Sequence, residues 1–408
     1  MIFRRLTLAL PALLTAAALT ACAGTAAPAT TSATSDGSGN GAESSGHGEM
    51  AGAAELNEPP LALMSIDSAG EVALLDLLTG ESSPIGAVAS PAALATDGRY
   101  GFVTTADGLE IVDSGRWSWD HGDHFHYYSA APRIVGTVPG GGEAVATTGM
   151  LSTAGATGVF FGGTGEAVLL DNASLADGEI TELFRIATGA ETGVVAPLGD
   201  GALLADRDTL VFHHASGAAT DATAACVGAA GAITTRVGLV VGCVDGAVLS
   251  TWEDSAPVFE RIPYPVGADA VRATAFDGRK GRPTVAALAG DAGFWLLDTR
   301  ELAWRLVPTD MPLARVSAVD DADGNVVALS ADGRVLVYSA QSGEQLAATG
   351  PLVGDVGASA SLTVDDQRAY VNDPATGVVF EIDYGDGARV ARTLTTPTAA
   401  HFVAEVGR

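Results

Sequence analysis

The side chains best suited to chemistry are concentrated in one short run, residues 117–128, which reads Trp-Ser-Trp-Asp-His-Gly-Asp-His-Phe-His-Tyr-Tyr. This run holds three of the chain's 7 histidines together with two aspartates. Elsewhere the sequence is rich in alanine, glycine and valine. Imidazole and carboxylate groups are ligands for a borderline divalent ion, and zinc is the first candidate. The run therefore predicts a metal site.

The same run has the residue pattern of a β-hairpin. Trp117 and Trp119 alternate with polar residues, and Phe125 and Tyr127 do the same further on. Two such segments joined by a short polar stretch that contains glycine are typical of a hairpin. We expect its turn at residues 120–123.

A hairpin would bring imidazoles together. Successive side chains of a strand point to opposite faces, so His124 and His126 are expected on one face, where they can share an ion. A fold back at Gly122 could add His121 or Asp123 as a further ligand. Three imidazoles and a carboxylate would satisfy tetrahedral zinc.

Other metals and a plain structural interpretation stay open. Cu(I) fits poorly because no thiolate or thioether lies nearby in the sequence, whereas nickel, cobalt and Cu(II) suit the same ligand types. The alternative to a metal site is a solvated polar loop whose histidines cap turns.

The remaining histidines are weaker candidates. His213 and His214 end an apolar segment on the side of the fold expected to carry the histidine run, and either could complete a site or simply end a strand. His401 lies on a segment expected near the centre of the fold, as a ligand or as a buried hydrogen-bonded residue. His47 falls in a polar segment and could be only a transient ligand.

The N-terminus has the pattern of an export signal. A short basic region precedes an apolar stretch over residues 6–18, which is too short for a comfortable membrane span. Leu-Thr-Ala-Cys ends at Cys22 and resembles the bacterial lipobox, which implies cleavage before Cys22 and lipidation of it; the alternative is an ordinary signal peptide. We expect a signal peptide over residues 1–21 and a disordered tether over residues 22–60, outside the cytoplasm at the cell membrane.

Cysteine use agrees with export. Without Cys22, the pair Cys226 and Cys243 remains, an even number in an oxidising compartment. A disulfide between them would stabilise the fold by about 3 kcal/mol on a chain-entropy estimate. The alternative is a thiolate metal pair, although neither residue lies in a Cys-x-x-Cys motif.

Charge limits the partners. The formal net charge is -28, and Lys280 is the single lysine, which disfavours nucleic acid as a partner. No second apolar span follows the first, so membrane attachment is expected only through lipid on Cys22. We expect a monomer.

The body of the chain, residues 61–408, is built from repeats. A glycine-containing turn leads into an apolar segment that often closes on aspartate, and the ends of these segments are mostly about 36 to 48 residues apart, with one 58-residue step that contains the histidine run. A spacing of about 40–50 residues is typical of propeller blades. The first two repeats are residues 65–76 and 97–113, the latter closing with the segment 109–113, and the later marker segments are residues 166–171, 209–214, 246–250, 293–298, 334–338 and 377–383. We expect an all-β fold made of a single β-propeller with eight blades, or seven if one marker lies in a long loop.

The order of the segments also predicts how the propeller closes. Residues 61–66 correspond to the second strand of a blade and residues 397–404 to a first strand, so the C-terminal strand would complete the N-terminal blade. The histidine run would be an insertion between the third strand of the second blade and its outer strand, residues 133–138.

Within an exported propeller, the string from Asp120 to Tyr128 resembles the zinc metallochaperones of the AztD type. The resemblance implies a propeller over most of residues 61–408 and a set of zinc ligands made of His121, Asp123, His124 and His126. It also implies Zn²⁺ as cargo and, as partner, the solute-binding protein of a zinc ABC importer. Members of that family carry a histidine-rich N-terminal segment, whereas this one holds His47 alone.

Such a carrier would bind and release zinc without catalysing a reaction. Histidine must be neutral to bind metal, so affinity is expected to fall below about pH 6.5, the ordinary imidazole value. Two other classes remain: a metal-dependent propeller hydrolase or lactonase, which needs an open coordination position and a general base, and a surface interaction propeller without a metal function.

Overall fold

The computed structural model describes residues 50–120 and 124–408. The predicted signal peptide, Cys22 and His47 lie outside the described residues, as do His121 and Asp123. In the described ranges no helix is both long and apolar enough to cross a membrane.

The described chain is almost entirely β-structure, arranged as eight consecutive antiparallel sheets and one small additional sheet. The first sheet contains Phe402–Val406 (β34), Ala62–Ile66 (β2), Glu71–Asp76 (β3) and Ser82–Ala87 (β4). The second contains Ala93–Thr96 (β5), Tyr100–Thr105 (β6), Gly108–Asp113 (β7) and Arg133–Pro139 (β10). The third contains Ala144–Thr148 (β11), Ala156–Phe161 (β12), Glu166–Asp171 (β13) and Glu182–Ala187 (β14).

The following sheets repeat the same plan. The fourth contains Val195–Leu198 (β15), Gly201–Asp206 (β16), Thr209–His214 (β17) and Ala219–Ala225 (β18). The fifth contains Ala230–Thr234 (β19), Leu239–Cys243 (β20), Gly246–Glu253 (β21) and Ala256–Pro263 (β22). The sixth has three strands, Thr284–Leu288 (β23), Phe294–Asp298 (β24) and Ala303–Val307 (β25).

Two further sheets complete the series. The seventh contains Leu313–Ala318 (β26), Asn325–Ser330 (β27), Val335–Ser339 (β28) and Gln345–Ala348 (β29). The eighth contains Leu362–Val364 (β30), Ala369–Asp373 (β31), Val378–Asp383 (β32) and Arg389–Thr395 (β33). The additional sheet contains Ala54–Leu56 (β1), Phe125–Ser129 (β9) and Arg116–Asp120 (β8). The helical elements among the described residues are Asn172–Asp177 (α1) and a 3-10 turn, Gly290–Ala292.

Burial follows from the position of each strand in its sheet. Every residue of β12 is buried, because neighbouring sheets cover both of its faces. The outer strand β18 alternates between exposed and half-buried residues, as expected where one face meets solvent. Each apolar marker found in the sequence corresponds to a strand with a neighbouring strand on both sides, and each belongs to a different sheet.

The core consists of apolar clusters between successive sheets. One cluster joins Leu109 and Ile111 of the second sheet to Val159 and Val168 of the third. Another joins the first sheet to the eighth, where Leu63 packs with the cluster that includes Tyr370 and Val379. The sheets therefore follow one another around a closed ring.

Ring closure occurs as the sequence predicted. Strand β34 pairs with β2, with Ala62 opposite Val406 and Ile66 opposite Phe402. Each strand thereby covers an edge of the other that would otherwise expose backbone N–H and C=O groups. The predicted all-β propeller is confirmed.

A disulfide links adjacent sheets. Cys226 follows β18 of the fourth sheet, and Cys243 ends β20 of the fifth; the two are bonded, with their Cα atoms 5.1 Å apart. Both residues are buried in the cluster between these sheets. The predicted pairing is confirmed, and it argues against a thiolate metal pair.

The N-terminal end of the described chain is more ordered than the tether interpretation implies. Residues 54–56, inside the segment assigned to the tether, form β1 and pair with β9. All three residues of β1 are exposed, so backbone hydrogen bonds to the partner strand hold it instead of an apolar face. The limits of the signal peptide and of the propeller domain stay predictions.

Candidate metal site

The candidate site is a hairpin that departs from the second sheet. Strand β7 leads into β8, β9 returns antiparallel to it, and the chain then enters β10, which pairs with β7. The hairpin is therefore an insertion between the third and outer strands of this sheet, as predicted. Strand β1 pairs along the free edge of β9 and makes a three-stranded unit.

An aromatic pair closes the root of the hairpin. Trp117 of β8 lies opposite Tyr128 of β9, and their rings stack with centroids 5.3 Å apart. Both are buried, Trp117 with only 1% exposed. The guanidinium of Arg99 lies 4.0 Å from the centroid of the Trp117 ring, a cation–π contact. Trp117, which the alternating pattern predicted to lie on a strand, therefore anchors the hairpin by packing.

Arg99 is itself fixed by a buried ion pair. Its Nε donates to Asp113 Oδ1 and its Nη2 to Asp113 Oδ2, both at 2.9 Å, and both side chains are 2% exposed. Burial alone would lower the pKa of Arg99, but the hydrogen bonds and charge of Asp113 raise it. Paired bonds of this kind fix orientation as well as charge. The root of the hairpin therefore rests on a rigid support.

Two more contacts fasten the hairpin to the first sheet. Arg116 Nη1 donates to Asp76 Oδ2 at 2.7 Å, and Ser118 Oγ donates to the carbonyl of Gly407 at 2.7 Å, just after β34. Burial alone would raise the pKa of Asp76, but the backbone N–H of Thr79 and the Arg116 guanidinium together lower it. The hairpin therefore spans the junction between the first and second sheets.

The histidines meet on one face of the hairpin. His124 Nε2 and His126 Nε2 lie 3.0 Å apart. The rings of Phe125 and Tyr127 stack on each other on the opposite face, with centroids 6.4 Å apart. This is the arrangement that the two-residue period of a strand predicts.

A carboxylate from outside the predicted run orients one of these rings. Glu55 of β1 lies opposite Tyr128, and its Oε1 is 2.7 Å from His126 Nδ1. Because a carboxylate accepts, His126 Nδ1 carries the proton and His126 Nε2 presents its lone pair. In this assignment His124 Nε2–H donates to His126 Nε2. The Nε2 lone pair of His126 thus points toward the neighbouring imidazole.

The separation of the two nitrogens suits a shared metal ion. Two ligands of tetrahedral zinc at about 2.05 Å each are about 3.3 Å apart, close to the distance between the two Nε2 atoms. A metal-bound histidine whose other nitrogen donates to a carboxylate is the usual arrangement at zinc sites. Across residues 50–120 and 124–408, no group of three or more His, Cys, Asp or Glu side chains is arranged to hold a metal. A complete site would need ligands from residues 121–123 or from a partner.

The opposite face of the hairpin covers the ring. Ser118, Asp120, Phe125 and Tyr127 line a cavity between the hairpin and the propeller. Asp120 Oδ2 lies 3.6 Å from Arg236 Nη2, which belongs to the fifth sheet's side of the ring. The hairpin therefore reaches from the second sheet across to the fifth.

The other histidine candidates have their contacts elsewhere. His213 Nδ1 lies 3.1 Å from the carbonyl of Gly217, and His214 Nδ1 lies 3.7 Å from Asp200 Oδ1, both within the fourth sheet. His401 packs edge-on against Phe402 in the first sheet. In the contacts of the described chain, the structure brings together His124 and His126, and it does not bring these three histidines to them.

Glu55 is the site residue that sequence reasoning missed. It lies 71 positions before His126, in a polar segment without alternation. The one signal in the sequence was that Glu55 lies just before the first propeller strand, where the chain runs alongside the hairpin.

Comparisons with known proteins identify the fold. No protein-family model matches the sequence, and no curated protein sequence does. The crystal structure of Citrobacter koseri AztD matches with a TM-score of 0.73 and 19% sequence identity, over 86% of this chain and 98% of that one. Apo AztD from the same organism matches with a TM-score of 0.72 and 17% identity, with the same coverage.

A more distant match is to a protein with a different activity. The dihydro-heme d1 dehydrogenase NirN in complex with DHE gives a TM-score of 0.54 at 16% identity, over 86% of this chain and 76% of that one. At such identities a likeness establishes fold alone. The resemblance to AztD inferred from the histidine run is thus confirmed for the fold of nearly the whole AztD chain.

Proposed function

We propose that this protein is a zinc carrier that works outside the cytoplasm. It is held at the membrane through lipid on Cys22 and passes zinc to the solute-binding protein of a zinc ABC importer. The observation that carries the proposal is the convergence of His124 Nε2 and His126 Nε2, with His126 oriented by Glu55. The AztD-like fold and the AztD-like motif support the same function.

The hairpin suits capture and release. His124 and Phe125 are exposed, and 18% of the His126 side chain is accessible, so an acceptor could reach the bound ion. His121 and Asp123, next to this pair in sequence, are the proposed further ligands. Acceptor groups would replace these ligands one at a time, so that zinc never enters bulk water. No chemical step on a substrate is part of this role, and we propose a binding protein, not an enzyme.

Zinc titration of matched variants tests where the ion binds. The protein with both His124→Ala and His126→Ala should lose tight stoichiometric zinc binding, measured by competition with a chromophoric chelator. The protein with His213→Ala and His214→Ala removes the same number of imidazoles from the fourth sheet and should bind as wild type. Equal loss of zinc binding in both double variants, or no loss in either, would show that the hairpin does not hold the zinc.

Transfer kinetics test the carrier role separately. Zinc should reach the acceptor faster than it is lost from the loaded protein to a chelator in excess. Equal rates would mean dissociation into water and would leave zinc binding without a chaperone function.

A further inference from the structure

A short basic loop enters the centre of the ring. Residues 278–282 read Gly-Arg-Lys-Gly-Arg and contain the single lysine of a chain that has 21 Lys and Arg against 49 Asp and Glu. The loop precedes β23, where the sixth sheet has three strands and Asp277 forms an isolated bridge with Ala286. It thus takes the place of a regular innermost strand.

The basic loop is held from several sides. The backbone N–H of Arg279 donates to the carbonyl of Ala318 in the seventh sheet at 2.8 Å. Lys280 Nζ donates to the carbonyl of Asp97 in the second sheet at 2.6 Å. Arg282 Nη2 donates to the carbonyl of Asp320 at 2.8 Å. Contacts to both the second and the seventh sheet mean that the loop crosses the ring.

A cavity lies between this loop and the hairpin. It measures about 350 Å³, and the face of the hairpin opposite the histidine pair forms one wall. Cationic side chains from the loop and from two other segments form much of the remaining wall: Arg236, Arg279, Lys280, Arg282 and Arg408. A smaller cavity of about 190 Å³ shares the loop and Arg408.

The charge of this wall is opposite to that of the whole molecule. Five cations line the cavity against three carboxylates, Asp120, Asp365 and Asp366. Asp365 Oδ1 already accepts from the backbone N–H groups of Gln367 and Arg368. Positive charge is therefore in excess among the side chains that line this cavity, in a protein of net charge -28.

The cations crowd one another. Burial lowers the pKa of Lys280, the charge of Asp97 opposes this, and Arg408 lowers it further. Burial and the neighbouring Arg279 lower the pKa of Arg282, although Asp320, 3.5 Å from Arg282 Nε, opposes them. The Arg279 side chain has no hydrogen bond or ion pair with any part of the chain that the structure describes. A bound anion would relieve this repulsion.

We propose that the cavity beneath the hairpin binds a small oxyanion with at least two negative charges, such as phosphate or a dicarboxylate. Guanidinium groups match the oxygens of carboxylate and phosphate in paired hydrogen bonds. The volume suits a small molecule, because ligand pockets begin at about 300 Å³. The hairpin covers the cavity, which favours a small occupant. The site lies across the hairpin from His124 and His126 and does not depend on zinc.

Calorimetric titration of the full-length protein tests this proposal. The protein is freed of metal on a chelating resin and titrated with inorganic phosphate and with succinate, at ionic strength held constant with sodium chloride. We expect saturable binding of at least one probe at one site per chain. Arg279→Gln should weaken it by about tenfold or more, because a hydrogen bond to a charged group is lost. Arg236→Gln, on the facing wall, should weaken it as well.

A matched control removes an equal charge elsewhere. Arg261→Gln alters an exposed arginine on the outer strand of the fifth sheet, paired with Asp245, and should bind as wild type. Binding of phosphate alone or succinate alone supports the site and assigns its class. The proposal is overturned if neither probe saturates, if the folded Arg279 and Arg236 variants bind as wild type, or if the Arg261 variant weakens equally. Because the protein is metal-free, none of these outcomes bears on the zinc carrier.

Discussion

At the scale of single residues, the most informative contact joins Glu55 to His126. The carboxylate fixes the proton on Nδ1 and so leaves Nε2 able to bind metal. It also makes the imidazole a stronger ligand, because negative charge on one side favours electron donation from the other. In the proposed metal site, one exposed residue outside the histidine run would therefore tune the affinity for metal.

Glu55→Gln tests this orientation. The amide keeps the size of the side chain but removes the charge, and zinc affinity should fall by about 10- to 100-fold, the usual effect of losing a carboxylate behind a metal-bound histidine. Competition with a chromophoric chelator measures the change.

Glu58→Gln is the matched control. Glu58 is exposed in the same segment and no described contact ties it to the hairpin, so its loss of charge should leave affinity unchanged. An affinity that is equal for wild type and the Glu55 variant would mean that the contact does not act on the metal.

The sequence could predict half of this arrangement. Strand periodicity alone puts His124 and His126 on one face, because the rule is local. Glu55 could not be found in this way, since β1 is exposed throughout and its register depends on backbone pairing with a strand some 70 positions away.

At the scale of elements, the hairpin is a small sheet supported at its root. Trp117, Tyr128 and Arg99 form a buried stack there, while the end near His124 is exposed. Rigid support at one end and access at the other are what a site that exchanges ligands with a partner requires.

Trp117→Ala should loosen the hairpin. It removes a large buried ring, at a cost of about 3–5 kcal/mol in the free energy of unfolding if the cavity does not collapse. Amides of β8 and β9 should exchange with solvent faster, and zinc affinity should fall because the two histidines are no longer held together. Hydrogen exchange by mass spectrometry measures the first effect.

Trp117→Phe keeps an aromatic ring against Tyr128 and Arg99. It should therefore have a smaller effect on both the amide exchange of β8 and β9 and the zinc affinity. If β8 and β9 of the alanine variant exchange as slowly as in wild type, the stack is not what holds the hairpin.

The hairpin was predictable because tryptophan, phenylalanine and tyrosine alternate with polar residues around a glycine. The cavity beneath it was not. The basic loop is visible as a local run, but Arg236 and Arg408 join it only through the closure of the ring, and neither spacing nor composition reports that.

At the scale of the whole molecule, the closing strand carries a buried acid. Glu405 of β34 has no accessible side-chain surface, and among the described residues neither carboxyl oxygen has a hydrogen-bond donor. The nearest cation is Arg408, 3.8 Å away. Burial raises the pKa of Glu405 well above its usual range, and the charge of Asp365 raises it further.

This acid makes stability depend on pH. The folded state keeps a proton on Glu405 that the unfolded state releases above about pH 4.3. The stabilisation that protonated Glu405 contributes is therefore complete below that pH and is lost as pH rises toward the pKa of the folded state. Glu405→Gln lacks this loss. The Tm of the variant minus the Tm of wild type should therefore increase as pH rises from 5 to 8, measured by circular dichroism.

Glu344→Gln, an exposed site in the seventh sheet, controls for loss of one negative charge and should follow the wild-type curve. Parallel curves for wild type and the Glu405 variant would show that Glu405 ionises in the folded protein without cost.

The overall architecture was the part of the structure most open to prediction. Apolar segments, five of which end in aspartate, mark one strand in each of the eight consecutive sheets, because buried strands need apolar side chains. Closure was predictable too, because the first and last segments each lack a partner within their own repeat. The sixth sheet is the exception, since residues 264–283 break the repeat and form no regular strand ahead of β23.

Closure by β34 has a consequence for newly made chains. The hairpin is synthesised well before Gly407, which accepts its hydrogen bond from Ser118 and lies 289 positions later in the chain. Until then β2 has an unprotected edge and the hairpin lacks one of its fastenings. A chain that has not yet reached β34 therefore contains the histidines of the proposed site but lacks the closed ring that supports them, and the fully supported site can form only once β34 has been made.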